Sequence, residues 1–213
     1  MPLTLFSYWR STTSYRVRAA LNLKGVAYEQ VSVNLLRGEQ HGDTYRAVNP
    51  GYGVPTLILE DGTALTQSLA IIDFLDATYP DPPMLSGDAL NRARQLSVAL
   101  VVATDIHPVN NLRVLSQLEA RFGACADAKR DWIQHWMAEG FATLEAMLPD
   151  RDGFAFGDTP DLADLCIVAQ CVNAHRWGLS LAPYPRVADV EAACLAVPQI
   201  QAAAPENQPD ANT

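Results

Sequence analysis

Between Leu3 and Pro80 the apolar positions change period several times, and each change marks an element. Leu3–Tyr8 is short, apolar and aromatic, which predicts a strand. From Ser14 to Lys24, the positions Val17, Ala20, Leu21 and Lys24 recur at helical spacing, and Gly25 supplies the stop. Ala27–Val33 alternates as a strand does. After a polar, irregular stretch, "VPTLILEDGTALT" reads as two short strands joined by an Asp61-Gly62 hairpin turn. Ser68–Pro80 then reads as a helix, with Ser68 as N-cap and a proline after its end. The order predicts an α/β unit of about 80 residues with one parallel crossover and one antiparallel hairpin.

The segment Tyr79–Asp88 is rich in proline and polar residues, a natural linker. Beyond it strand signals almost vanish. Residues 89–122 read as a long helix that Pro108 kinks or interrupts. Residues 129–149 are amphipathic and end at a proline. The stretch "DLADLCIVAQCVNAHRWG" is apolar nearly all round, which predicts a buried central helix stopped at Gly178. Asp161 is its N-cap, and Asp164 follows three residues on, where a carboxylate suits the helix dipole. The expected organisation is an α/β domain over residues 1–81 and an all-helical domain over 88–213. Only the tail "AAAPENQPDANT" reads as loosely ordered.

Composition narrows the class. The chain has 213 residues, 49% of them hydrophobic and 18% charged, as in a globular protein with an ample core. A formal net charge of −9 argues against a nucleic-acid surface. No apolar run reaches the ~18 residues of a membrane span, and no export signal is expected at the N-terminus. Cytoplasm is the expected compartment. Cys125, Cys166, Cys171 and Cys194 form no C-x-x-C pair and no metal-ligand spacing with histidine, so buried inert thiols and no metal are expected.

One stretch is chemically unusual. In "YWRSTTSYRVRAAL" the first strand runs into Ser11, Thr12, Thr13 and Ser14 and then a helix carrying Arg16 and Arg18, with Arg10 just before the hydroxyls. Hydroxyls before a helix ordinarily just cap it; here they are crowded by positive charge in an acidic chain. This stretch, with "NPGYGVPTL", "QSLAIIDFL", "DIHPVNNLRVL", "GDTPDLADLC" and "PENQPDA", resembles the soluble glutathione transferases and, within them, the zeta class of maleylacetoacetate and maleylpyruvate isomerases. The resemblance spans the whole chain. The serine-rich turn followed by Arg-x-Arg is its most specific motif; N-P-x-x-x-V-P-x-L and Q-S are shared across the superfamily.

The resemblance implies the glutathione transferase fold: an α/β thioredoxin-like N-terminal domain plus an all-α C-terminal domain, in a homodimer. It implies a cis bond before Pro55. It also implies glutathione as cofactor, held by Ser11, Thr12, Thr13, His41, Val54, Gln67, Ser68, His107 and Asn111. A thiol with a reference pKa of ~8.5 carries little thiolate at neutral pH. Hydroxyl donors and a helix N-terminus both favour the charged form, and Ser11 is the implied partner of the sulfur. Thr13 stands where some relatives carry cysteine, so a hydroxyl replaces a possible protein thiol. Ser68 or His41 alone would be an ordinary cap or an ordinary surface residue; their co-occurrence around the V-P turn points to a site.

Arg10, Arg113 and Arg176 are the implied substrate-side residues, counted with Ser11 as catalytic. His107 and Asn111 are expected one helical turn apart on one helix. Arg113 is a feature of the maleylpyruvate branch, where the maleylacetoacetate branch often has serine. The expected chemistry is thiolate addition to a cis double bond between carbonyl groups, rotation about the resulting single bond, and elimination. Guanidinium groups clamp the carboxylates and stabilise the developing enolate. A general conjugating transferase or a glutathione-dependent dehalogenase is the alternative. A thiol–disulfide reductase would need a cysteine within Ser11–Ser14. His135 and His175 are read as ordinary helical residues.

Overall fold

A computed structural model describes residues 2–211. The chain divides into two compact units. One runs to Met84 and takes back the chain from Ala196 onward; the other is Leu85–Leu195.

The first unit is a four-stranded sheet with helices. Strand β1 (Leu3–Ser7) pairs in parallel with β2 (Tyr28–Ser32) and antiparallel with β3 (Thr56–Ile58), which continues as a hairpin into β4 (Ala64–Thr66). The sheet order is β2-β1-β3-β4, so β1 is central and feeds the chain directly into the hydroxyl turn. Leu3, Leu5 and Ser7 alternate into the core with Thr4 and Phe6 less covered, the period-2 pattern of a strand. At the hairpin Gly62 takes φ 87°, and Asp61 accepts a hydrogen bond from the Thr63 N–H at 2.8 Å. Both elements expected from the apolar pattern are present: the parallel crossover and the antiparallel hairpin.

Helix α1 (Thr12–Leu23) is not a surface helix. Tyr15, Arg16, Val17, Arg18, Ala19, Ala20 and Leu21 are all buried. At its end the Lys24 ammonium, fully covered, donates to Asp76 (2.9 Å), the Tyr79 carbonyl (2.7 Å) and the Pro82 carbonyl (2.8 Å), pinning α3 (Ser68–Thr78) and the linker to α1. A short helix, α2 (Asp43–Val48), occupies the stretch expected to be irregular.

The second unit is all helical. Helix α4 (Ala89–Leu100) passes through a π-type turn at Val101–Ile106 and a 3-10 turn at Pro108–Asn110 before α5 (Leu112–Phe122). The interruption expected at Pro108 is there, because proline has no N–H to continue the ladder. Helix α6 (Ala126–Met147) packs Gly140 so tightly on Ile106 that a Cβ would lie 2.2 Å from its Cγ1. Helix α7 (Leu162–Arg176) is the expected central helix: every residue from Leu162 to Cys171 is buried. Asp161 and Asp164 form a reciprocal capping box at its start. Helix α8 (Pro185–Leu195) completes the unit. Arg186 on α8 fastens the loop between α6 and α7 by donating to the carbonyls of Pro149 (3.0 Å), Gly153 (2.6 Å) and Phe154.

Three expectations change. Residues from Ala196 onward group with the α/β unit, although the helical domain was expected to run from 88 to the last residue. Much of the tail is also ordered: α9 (Pro198–Ala202) leads into buried Ala203, Ala204, Pro205, Gln208 and Asp210. Asn212 and Thr213, part of the tail expected to be loose, lie outside the described residues. Finally, Cys125 is exposed at the N-cap of α6 because it precedes the apolar stripe, whereas Cys166, Cys171 and Cys194 are buried as expected. Burial holds the Cys171 and Cys194 thiols well above the ordinary range, hence inert. Among the described residues no helix is long and apolar enough to cross a membrane.

Candidate active site

The hydroxyl turn is built around one chain of hydrogen bonds. Ser11 is the N-cap of α1, and its Oγ accepts from the Ser14 N–H at 3.1 Å. The hydroxyls of Ser11 and Thr13 lie 2.8 Å apart, and Thr13 donates to the Val54 carbonyl at 2.8 Å. A carbonyl only accepts, so the Thr13 proton is committed and its oxygen receives the proton of Ser11. Of the two, Ser11 alone can re-aim its proton without releasing a main-chain bond. Thr12 is buried beside them, and the Arg10 guanidinium lies over the Trp9 ring at 5.5 Å.

Val54 is presented by the loop Asn49–Gly53. The Asn49 amide donates to the Gly53 carbonyl (2.7 Å) and the Thr56 hydroxyl (3.0 Å), while its oxygen accepts from the Gly51 N–H (2.8 Å). The Tyr45 hydroxyl of α2 donates to the same Gly53 carbonyl and lies 3.0 Å from Thr56 Oγ1. The Val54–Pro55 bond is cis, as the resemblance implies. Asn49 and Tyr45 are supporting residues that the sequence reading missed. The signal for Asn49 was present in N-P-G-Y-G-V-P, where an Asx side chain precedes a turn. His41 ends a short 3-10 turn, exposed, with its ring 5.5 Å from that of Tyr52.

At the start of α3 the cap shifts by one residue from expectation. Gln67 is the N-cap and Ser68 the first helical residue, because the chain turns at Gln67 with φ 68° and ψ 116°. A positive φ at a non-glycine residue costs about 1–3 kcal/mol and tends to collect at binding sites. Buried Ser68 accepts a long bond (3.4 Å) from the Arg16 guanidinium of α1. Arginine has no acceptor to offer, so the Ser68 hydroxyl keeps its own proton for an anion, beside the free N–H groups of the helix end. The role of this buried cation, unlike its presence, is not legible in the sequence.

In the second unit, His107 ends the π-type turn, its N–H donating to the Val102 carbonyl at 3.0 Å, and is half-buried. Asn111 is the N-cap of α5, its side chain accepting from the Arg113 N–H at 3.1 Å. His107 and Asn111 are therefore not one turn apart on one helix, since the 3-10 turn that Pro108 starts lies between them. Arg113 is exposed in the first turn of α5. Arg176, the last residue of α7, is half-buried and donates to Asn173 at 2.8 Å. His135 rests edge-on against Trp136, and His175 pairs with Glu191 at 2.8 Å, both consistent with ordinary helical roles.

A mixed sheet with one parallel crossover, a cis V-P turn, and hydroxyls without cysteine at the first helix define a class, and comparison with known proteins bears this out. The family described as glutathione S-transferase, N-terminal domain, matches residues 5–83. The maleylacetoacetate isomerase of Pseudomonas aeruginosa is 44% identical over 210 residues, covering 98% of each chain. A solved structure of a holo maleylpyruvate isomerase, described as a bacterial zeta-class glutathione transferase, superposes with TM-score 0.94 at 43% identity, covering 97% of this chain and 99% of that one. The maleylacetoacetate isomerase of Methylobacterium extorquens AM1, solved with bound malonate and glutathione, gives TM-score 0.94 at 38% identity over 99% of this chain and 100% of that one. The chain belongs to the zeta class of the glutathione transferases, the family of the maleylacetoacetate and maleylpyruvate isomerases. Its fold is accordingly a thioredoxin-like N-terminal domain followed by an all-α one.

Proposed function

We propose that the protein is a glutathione-dependent cis–trans isomerase converting a maleyl compound, maleylpyruvate or maleylacetoacetate, to its fumaryl isomer in aromatic-compound catabolism. The observation that carries this reading is the α1 turn, where the Ser11 hydroxyl has a redirectable proton and no protein thiol stands near it in sequence. The residues fit glutathione: the buried Ser68 hydroxyl backed by Arg16, and the strained Gln67 at a helix start, suit an α-carboxylate. When bound, glutathione supplies a thiolate that adds to the cis double bond, lets it rotate as a single bond, and leaves unchanged.

The chain's own groups have separate tasks. Ser11 donates to the sulfur anion, and the N-terminus of α1 adds its dipole. Gln67 and Ser68 hold the γ-glutamyl carboxylate, Val54 meets the cysteinyl backbone in a strand-like pairing, and His41 takes the glycine arm. Thr12, Thr13, His107 and Asn111 complete the glutathione contacts. Arg10, Arg113 and Arg176 bind the substrate carboxylates and stabilise negative charge as it develops next to the attacked carbon. We further propose a cytoplasmic homodimer. Leu96 and Leu100, exposed on one face of α4, suit an interface between copies.

The test follows maleyl absorbance with limiting glutathione. Many turnovers per glutathione are expected, and none without it. Consumption of one glutathione per product, or turnover in its absence, would sink the reading.

A further inference from the structure

The tail that returns to the first unit grips the turn that carries Arg10 and Ser11. The Trp9 N–H donates to Asp210 Oδ2 at 3.1 Å across 201 positions of sequence. Ser32, the last residue of β2, donates to the same oxygen at 2.8 Å. Beneath them Arg18 is fully buried, and its guanidinium reaches four groups: the Ala203 carbonyl of the tail (3.0 Å), Ser7 Oγ (2.9 Å), and the carbonyls of Tyr8 and Trp9 (3.4 Å each). The Ser11 N–H closes the turn on that same Tyr8 carbonyl at 2.9 Å. Every backbone group from Tyr8 to Ser11 named here is thus tied to Arg18 or Asp210 directly or through one bond.

We propose that Ala203–Asp210 is a clasp on the active-site turn, and that Asp210 together with Arg18 positions Ser11. The inference rests on the proposed role of Ser11 for its functional half only. The tail is itself well anchored. The Gln208 amide donates to the carbonyls of Ala202 (3.0 Å) and Ala204 (2.8 Å), and Asn22 of α1 donates to the Gln199 carbonyl (3.0 Å). Charge supports the clasp: burial pushes the Arg18 guanidinium down to about 10, Tyr28, Asp210 and Tyr15 oppose that shift, and the group stays cationic at neutral pH. A turn without regular secondary structure has no ladder to fix it. Here a buried cation and a carboxylate from a remote segment supply the missing constraint, which a hydroxyl aimed at a sulfur needs to within a few tenths of an ångström.

Wild type, Asp210→Asn and Asp210→Ala are compared in two measurements. Hydrogen exchange in the ligand-free protein reads the clasp; ultraviolet titration of the thiol in the glutathione complex reads its consequence. Exchange over residues 8–14 should quicken about tenfold in Asp210→Ala and less in Asp210→Asn, while α6 keeps its protection. The bound thiol should ionise at higher pH in the same order, with glutathione affinity changed far less. Asp210→Asn keeps the side-chain shape and one acceptor oxygen, and it carries the test if Asp210→Ala does not fold. Unchanged exchange over 8–14 while the tail loosens would overturn the clasp. Faster exchange with unmoved thiol ionisation would overturn the positioning role. If wild type itself fails to promote thiol ionisation, the glutathione reading fails instead, and exchange alone decides the clasp.

Discussion

Ser11 and Ser68 are both serines at helix starts, yet their hydrogen-bond surroundings differ. Ser11 shares a proton with Thr13, whose own hydrogen is committed to Val54, whereas Ser68 accepts from a buried guanidinium. If Ser11 donates to the charged sulfur as proposed, Ser11→Ala should depress kcat with little change in glutathione affinity. Ser68→Ala should raise the glutathione Kd with a smaller effect on kcat. Steady-state kinetics with a direct binding measurement separates the two, and exchanged phenotypes would reverse the assignments. Ser11 was legible as a helix cap, Ser68 only to within one residue of the cap, and the roles of their arginine neighbours were not legible at all. Arg10, Arg16 and Arg18 form one basic cluster on paper. Arg16 and Arg18 lie about 200° apart around a helix, so no single face could bury both. Nothing in the local pattern shows that α1 is covered on all sides, as it is here. Arg16 and Arg18 are internal supports, and Arg10 alone of the three lies outside the helix.

Elements were legible where their signals are local. The central helix α7 was readable because apolar residues all round and the Asp161/Asp164 pair need no tertiary information. Helix α8 has its own signal, Val187, Val190 and Cys194 at helical spacing, but the prolines on either side of it obscure its bounds. Helix α2, of six residues, is too short and polar to announce itself, and depends on Tyr45 anchoring it to Gly53 and Thr56. The capping box yields a stability prediction. Asp164 accepts from the Ala155 N–H at 2.7 Å and the Asp161 N–H at 2.8 Å, both buried. Asp164→Ala orphans both donors and should cost about 2–4 kcal/mol in denaturant unfolding. Burial first, and the neighbouring Asp161 charge second, hold the Asp164 carboxyl well above its ordinary value. A raised acid favours the folded state most when protonated, and that contribution fades as pH rises through the folded value. The deficit of the variant should be widest below the unfolded carboxyl value of ~3.9 and narrow as the pH rises from there toward the raised folded value. A deficit that widens with pH would mean that the backbone donors, not burial, dominate the carboxylate.

For the whole molecule the question is charge. A chain of formal net charge −9 repels a dianion at long range, but salt screens that field beyond ~10 Å at 0.1 M, so recognition falls to local guanidinium groups. Arg10 lies by the hydroxyl turn of the first unit; Arg113 and Arg176 lie at the start of α5 and the end of α7 in the second. If they clamp the substrate, replacing Arg10 or Arg176 by Ala removes a charge-assisted bond worth about 1.5–3 kcal/mol, tenfold or more in kcat/KM. Lysine should rescue only partly, since it offers a point charge in place of a planar fork. Arg113 discriminates between substrates. It is exposed in the first turn of α5, with its backbone N–H fixed by Asn111. Maleylpyruvate carries its second carboxylate nearer the double bond than maleylacetoacetate does, so loss of Arg113 should penalise the smaller substrate more. The measurement is the ratio of kcat/KM for the two compounds in wild type and Arg113→Ser. A fall of several-fold in the maleylpyruvate-to-maleylacetoacetate ratio is expected; an unchanged ratio would remove Arg113 from substrate selection.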